Sequence, residues 1–303
     1  MEIFGEDRPV TYDGTVVALG NFDGLHIAHM EIIRNGIRYA KENGLKSGVL
    51  LFEEHTKGVT ANTNVSLITP NEAKAELLQR ENADFIYVKK FTPDFMRTSP
   101  EEFITRLIDR LHMKAVCVGY DYRFGYKAHG TVETLRKLGE KYGFSVFVTD
   151  VIKLNGHIVS STYIRELIKS GDMEETEKFL GRRFCVEGIV EKGKQNGRKM
   201  GVPTANVAFD KRMAIPRIGV YAGITYVDGR RLKCVINVGS NPTFNADRLT
   251  IESHILDFDE DIYGKYVRVS FAHRLRGDRK FSNMDELRNQ INKDIQMVRG
   301  MNL

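Results

Sequence analysis

The sequence lacks several features that would assign a function at sight. No GxxxxGK[ST] stretch occurs, so a P-loop phosphotransferase is unsupported. Its three cysteines, Cys117, Cys185 and Cys234, lie far apart without a CxxC pair, and two of them sit in the strand-like apolar runs KAVCVG and LKCVINV. A disulfide framework or zinc knuckle is therefore not expected. No apolar run approaches the roughly 20 residues a helix needs to cross a bilayer, and the N-terminal MEIFGEDRPV has neither the basic nor the apolar region of a secretion signal. The expected compartment is the cytoplasm, with no membrane partner. Repeats, low-complexity tracts and the patterns of a recognition helix, RRM or zinc finger are also missing. The net charge of +5 is spread through interleaved Lys, Arg and acids, which suits small anionic ligands as well as nucleic acid. No nucleic-acid partner is expected, and nothing in the pattern gives an oligomeric state.

What is present fits two domains in 303 residues, 42% of them hydrophobic and 28% charged. To about residue 150, short apolar strands (TVVAL, SGVLLF, FIYVKK, AVCVG, SVFVTDV) alternate with amphipathic helical segments, among them NEAKAELLQR, PEEFITRLIDRL and TVETLRKLGEKYG. This predicts a Rossmann-like α/β domain, a parallel sheet with helices on both faces, and ligands beyond the carboxyl ends of the strands. TKGVTANTNVS, 56–66, reads as a long loop. STYIRELIKS and MEETEKFL read as two short helices, the first capped by Ser160, Ser161 or Thr162. After LGRR the texture turns to β-branched runs, with a type I′ hairpin signal in VDGR and a closing helix in SNMDELRNQINKDIQMVRG. The division expected is 1–182 and 183–303, the second part being a small antiparallel β-barrel with a C-terminal helix.

The segment GNFDGLHIAH follows the first of those strands and opens a helix. Glycines there let the backbone approach a ligand, and the first free N–H groups of the helix attract an anion. His26 and His29, three apart, share one side of a helical first turn and can donate to phosphate oxygens. The plainer reading is a turn at Asp23-Gly24 with incidental surface histidines.

The segment resembles the G-x-F-D-x-x-H-x-G-H signature of the nucleotidylyltransferase superfamily, whose HxGH motif binds ATP phosphates. On that resemblance Gly20, Asn21, Phe22, Asp23, Gly24, His26 and His29 meet the nucleotide. SSTYIREL, 160–167, resembles the superfamily's I-S-S-T-x-I-R element, which implies nucleotide contacts for Ser160, Ser161, Thr162 and Arg165. Between them VGYDYRFGYKAHG resembles the V-G-x-D-F-R-F-G loop of the flavin-specific branch, implying flavin contacts for Asp121, Arg123 and Phe124. For Phe124 and Tyr122 the alternative is ordinary core. Two departures stand out: Ala28 replaces the motif glycine, and Phe52-Glu53-Glu54-His55-Thr56 stands where the family has F-D-P-H-P.

In the second half, GKQNGRKMGVPTANV resembles the G-x-x-x-G-R-x-x-G-x-P-T-A-N element of riboflavin kinases. NVGSNPTF, ESHILDFDEDIYG and VRVSFAHRLRGDRKF match that family's further elements in order. The implied nucleotide-binding residues are Gly197, Lys199, Gly201, Pro203, Thr204 and Asn206, with Thr204 and Asn206, two apart on an extended segment, presenting oxygens to Mg²⁺. The ribityl hydroxyl needs a base, and Glu252 is the candidate, in line with the family's catalytic glutamate. Arg276 is placed near flavin or phosphate. Together the halves resemble bacterial bifunctional riboflavin kinase/FAD synthetases, which implies riboflavin, FMN and ATP as substrates. Two other readings stand beside it: a kinase with a weakened or inactive N-terminal half, and a non-catalytic flavin- or nucleotide-binding regulator.

Overall fold

A computed structural model describes residues 1–53, 66–193, 197, 201–243 and 246–303. The chain divides into two compact units, residues 1–161 and 162–303.

The first unit holds a sheet of six strands, β1 (Glu2–Phe4), β2 (Thr15–Ala18), β3 (Lys46–Phe52), β4 (Phe85–Lys89), β5 (Met113–Gly119) and β6 (Ser145–Thr149). Their order is β1-β4-β3-β2-β5-β6, and every pairing is parallel. Strand residues alternate between two cores, as a pleat requires. Val17, Leu50 and Val116 face one, with Phe103, Ile104 and Leu107 of α4 (Pro100–Leu111) and Leu135 of α5 (Val132–Tyr142). Val16, Ala18, Val49 and Cys117 face the other, with Ile32 and Ile33 of α1 (Ile27–Glu42) and Leu78 of α2 (Asn71–Arg80). A four-residue helix, α3 (Pro93–Met96), and a small hairpin of β7 (Lys153–Leu154) and β8 (His157–Ile158) complete the unit; neither was expected. Buried on both faces, the strands read as continuous apolar runs.

From β2 the chain builds outward through β3 to β4, then returns to the other side of β2 for β5 and β6. The order reverses between β2 and β5, and loops leaving two such strands diverge into a crevice at their carboxyl ends. GNFDGLHIAH leaves β2 and VGYDYRFG leaves β5. Both sequence-predicted ligand loops therefore flank one switch point.

In the second unit β9 (Cys185–Glu191), β10 (Ala205–Phe209), β11 (Gly219–Val227), β12 (Arg230–Thr243), β13 (Ala246–Ile255) and β14 (Tyr266–Arg276) close a barrel in the order β10-β13-β12-β11-β14-β9. The hairpin joining β11 to β12 turns on Asp228 (φ 50°) and Gly229 (φ 73°), the two left-handed residues a type I′ turn needs. Helix α8 (Met284–Gly300) is capped by Asn283, whose side chain accepts the Glu286 N–H. It buries Val298 against Val220, Val235 and Ala272. Helices α6 (Ser161–Ser170) and α7 (Met173–Leu180) group with the barrel from Thr162 onward, α7 lying on β14 with Glu174 Oε1 2.7 Å from His273 Nδ1.

Two candidate active sites

The turn after β2 is shaped by unusual backbone. Phe22 (φ 47°) and Leu25 (φ 40°) occupy the left-handed region although both are bulky and fully buried. Gly24 sits at φ 89°, where a Cβ would also lie 3.2 Å from Ile68. Such conformations persist only where surroundings hold them. Asp23 supplies that hold: its 1%-exposed carboxylate accepts the N–H groups of Ile68 (3.0 Å) and Thr69 (3.2 Å), and its carbonyl accepts the Ser161 hydroxyl (2.8 Å).

His26 caps α1, its Nδ1 accepting the His29 N–H at 3.3 Å. With Nδ1 accepting, the neutral ring carries its proton on Nε2. The two imidazoles stack 3.6 Å apart, and the Phe22 ring meets His29 edge-on. The structure thus gathers His26 and His29, as the spacing predicted, but buries His26 to 3% exposure. Ala28 lies in the regular first turn of α1 without a left-handed φ, so the motif glycine is not required by the backbone. Glu54, His55 and Thr56, and most of the loop expected over 56–66, lie outside the described residues.

After β5, Asp121 and Arg123 are exposed, whereas Phe124 is only 5% exposed, stacked on Tyr122 and packed against Phe103. Burial pushes the Tyr122 phenol well above its ordinary range. Phe124 and Gly130 exchange backbone hydrogen bonds of 3.2 and 2.8 Å that close the loop. Tyr120 and Tyr126 stay exposed beside it; sequence reasoning passed over both, because exposed and core aromatics read alike. Ser160 and Ser161 open α6 in the first unit, and Thr162 and Arg165 fall in the second.

In the barrel, Glu252 on β13 stands opposite Asn206 of β10 on one side and Asn237 of β12 on the other. Thr204 Oγ1 donates to Glu252 Oε2 at 3.3 Å. The backbone at Gly193 lies so close to Asn206 that a Cβ would fall 2.4 Å from its Nδ2, a contact only glycine permits. His254 Nδ1–H donates to the Pro203 carbonyl at 2.8 Å, anchoring the start of the Thr-Ala-Asn segment. Burial lowers the His254 pKa below its ordinary 6.5. Gly197 accepts the Val202 N–H, and Gly201 is left-handed at φ 74°; Lys199 lies outside the described residues. Next to Thr204 and Asn206 opens a cavity of about 230 Å³, walled by Pro203, Phe258, Ile262 and Tyr263. The last three belong to the ESHILDFDEDIYG motif, whose apolar members the sequence reading left without a role.

Arg276 is engaged by the C-terminal helix. Its Nε and Nη2 donate to Asp294 of α8 at 3.0 and 2.9 Å, and the Gln290 amide joins the same carboxylate. Asp294 is 2% exposed, so the pair holds α8 to the barrel.

Comparison with known proteins follows the same division. The family model for FAD synthetase matches residues 9–163, and that for riboflavin kinase residues 180–302. The bifunctional riboflavin kinase/FMN adenylyltransferase of Listeria monocytogenes is 35% identical over 97% of this chain and 96% of its own. The Bacillus subtilis protein of that description is 34% identical over 93% and 90%, and that of Escherichia coli K12 31% over 93% and 91%. A solved structure described as a macrolide-efflux protein from Streptococcus pneumoniae superposes over the whole of both chains with a TM-score of 0.92 at 28% identity. Among the described residues no helix is long and apolar enough to cross a membrane. Two matched family models in sequence order, two gathered sets of site residues and full-length relatives place this chain in the family of bifunctional riboflavin kinases/FMN adenylyltransferases.

Proposed function

We propose that the barrel phosphorylates riboflavin to FMN with ATP, and that the first unit joins FMN to ATP to give FAD and pyrophosphate. The observation that carries the reading is the gathering of Thr204, Asn206 and Glu252 at one spot of the barrel wall. In the kinase step the Glu252 carboxylate accepts the proton of the ribityl 5′-hydroxyl as its oxygen bonds to the γ-phosphorus and ADP leaves. Thr204 and Asn206 offer neutral oxygens beside one carboxylate, the hard donor set that suits Mg²⁺ bound chiefly through nucleotide phosphates. Mg²⁺ would neutralise phosphate charge there. Gly197, Lys199, Gly201 and Pro203 border the phosphates, and Phe258, Ile262 and Tyr263 give an adenine apolar surface in a cavity also lined by Asp259, Glu260 and Asp261.

At the first site the FMN phosphate is already ionised at neutral pH and needs no base. Catalysis rests on positioning and on charge stabilisation at the ATP α-phosphate. His26, His29 and the α1 N-terminus supply donors, and Gly20, Asn21, Phe22 and Gly24 shape the turn. Asp121 and Arg123 meet the flavin, with Phe124 setting their loop from within the core. Ser160, Ser161, Thr162 and Arg165 complete the nucleotide contacts. Functionally the boundary lies near 182/183, where the sequence texture changes. The compartment is the cytoplasm, where riboflavin and ATP are both at hand.

The test is to incubate the protein with riboflavin, ATP and Mg²⁺ and resolve the flavins by chromatography. FMN followed by FAD is expected. Accumulation of FMN alone would leave only the kinase, and unchanged riboflavin would leave a binding protein.

A further inference from the structure

The turn at Asp228-Gly229 delivers Arg230, the first residue of β12, to the loop that walls the barrel's cavity. The Arg230 guanidinium donates through Nη1 to Glu260 Oε1 at 2.6 Å and through Nη2 to Glu260 Oε2 at 2.9 Å. The same group lies over the Phe258 ring, 5.0 Å from its centroid. On the other side of the turn, Asp228 Oδ2 accepts from Lys265 Nζ at 2.7 Å. The hairpin tip is thus tied to both ends of the segment 258–265. Among the described residues, Phe258 and Glu260 line the cavity and Arg230 does not, so the guanidinium backs the wall instead of forming it.

An exposed ion pair stabilises a fold little by itself, and the two side chains of this one are 42% and 51% exposed. Its two-pronged geometry has a different consequence. A carboxylate gripping both arms of the fork fixes the plane of the guanidinium, and a fixed cation over one face of an aromatic ring limits how that ring can turn. A phenylalanine already held still offers a purine a ready stacking surface, whereas a free one must be ordered on binding at an entropic cost. We propose that Arg230 is a positioning residue for ATP in the kinase reaction: clamped by Glu260, its guanidinium backs the Phe258 ring and holds it as one wall of the adenine seat. The assignment rests on the reading of the barrel as a riboflavin kinase whose cavity takes adenine. The base of ATP is remote from the transferred phosphoryl group, so the clamp acts on ATP binding and leaves the chemical step alone.

The experiment measures riboflavin phosphorylation by the full chain against ATP and against riboflavin concentration. Wild-type protein must make FMN; if it does not, the kinase reading fails before the role of Arg230 is reached. Phe258→Leu should raise the KM for ATP about tenfold through loss of stacking, and an unchanged value would remove adenine from this cavity and the proposal with it. Arg230→Met should raise the KM for ATP about fivefold, with kcat and the KM for riboflavin each within about twofold of wild type. In the Phe258→Leu background the same change should add less than about twofold, because the ring it acts through is gone. An unchanged KM for ATP in Arg230→Met overturns the proposal, and so does an equal rise in both KM values, which marks general loosening of the barrel. A rise that persists in full without the ring also overturns it, since the unpaired Glu260 carboxylate would then be its cause. Should Arg230→Met fail to fold, Arg230→Lys decides: a charge without the planar fork should raise the KM for ATP about threefold, and an unchanged value refutes the clamp.

Discussion

Thr204 and Glu252, 48 residues apart in the chain, are joined by a hydrogen bond of 3.3 Å from hydroxyl to carboxylate. In the proposed kinase step, the contact places the hydroxyl assigned to the phosphate side and the carboxylate assigned to take the proton within one hydrogen bond of each other. A transfer that must bring a nucleotide phosphate and a substrate hydroxyl together needs that juxtaposition.

Glu252→Gln keeps an acceptor for Thr204 but cannot take a proton. FMN formation should fall by about a hundredfold or more, while FAD formation from supplied FMN is retained. A kinase rate above about a tenth of wild type would remove Glu252 from the role of base.

His29→Ala should abolish FAD synthesis and spare riboflavin phosphorylation, because both the His26 stack and the Phe22 edge contact end on that ring. Ala28→Gly tests the neighbouring departure. Its helical backbone gains nothing from glycine, so FAD formation should stay within about twofold while the helix loses up to about 1 kcal/mol. A severalfold gain in adenylylation would show instead that the methyl crowds the nucleotide.

Asp294→Ala strands the Arg276 guanidinium, whose side chain is only 20% exposed. The barrel should lose about 3 kcal/mol or more, read as a fall of the kinase-half melting transition. Replacing both partners, Arg276→Met with Asp294→Leu, should recover much of this and retain kinase activity. Loss of activity in a stable double variant would return Arg276 to the flavin- or phosphate-binding role expected from the sequence.

His254 carries a pH dependence whose sign is fixed by its environment. Burial lowers its folded pKa below 6.5, so below that pH the unfolded chain takes up a proton that the folded barrel resists. The stabilising preference for the neutral ring is present above 6.5 and lost as pH falls through it. Thermal unfolding of the kinase half, followed from about pH 8 to about pH 5.5, should show declining stability over the lower part of that range. His254→Asn, which keeps a donor for Pro203, should flatten the decline; an equal decline in the variant would assign it to other groups.

The amino-acid sequence determined the class of each half. Short continuous apolar runs alternating with 3.6-period segments specify a parallel sheet, and β-branched runs with Asp228-Gly229 between them specify an antiparallel barrel, because both patterns are local consequences of which faces a side chain must bury. The placing of His26 and His29 on one helical turn, and of Thr204 and Asn206 on one segment, was equally local. Long-range pairing decided the rest. Whether Phe124 meets ligand or core depends on Phe103 and Tyr122, the commitment of Arg276 depends on Asp294 on a helix after the barrel, and the burial of Lys74 with its bond to Asn71 depends on how α2 docks on the sheet. An aromatic ring or a charged group reads the same in sequence whether it faces water, ligand or another side chain. Only packing sets the dielectric and the partner that give it a function.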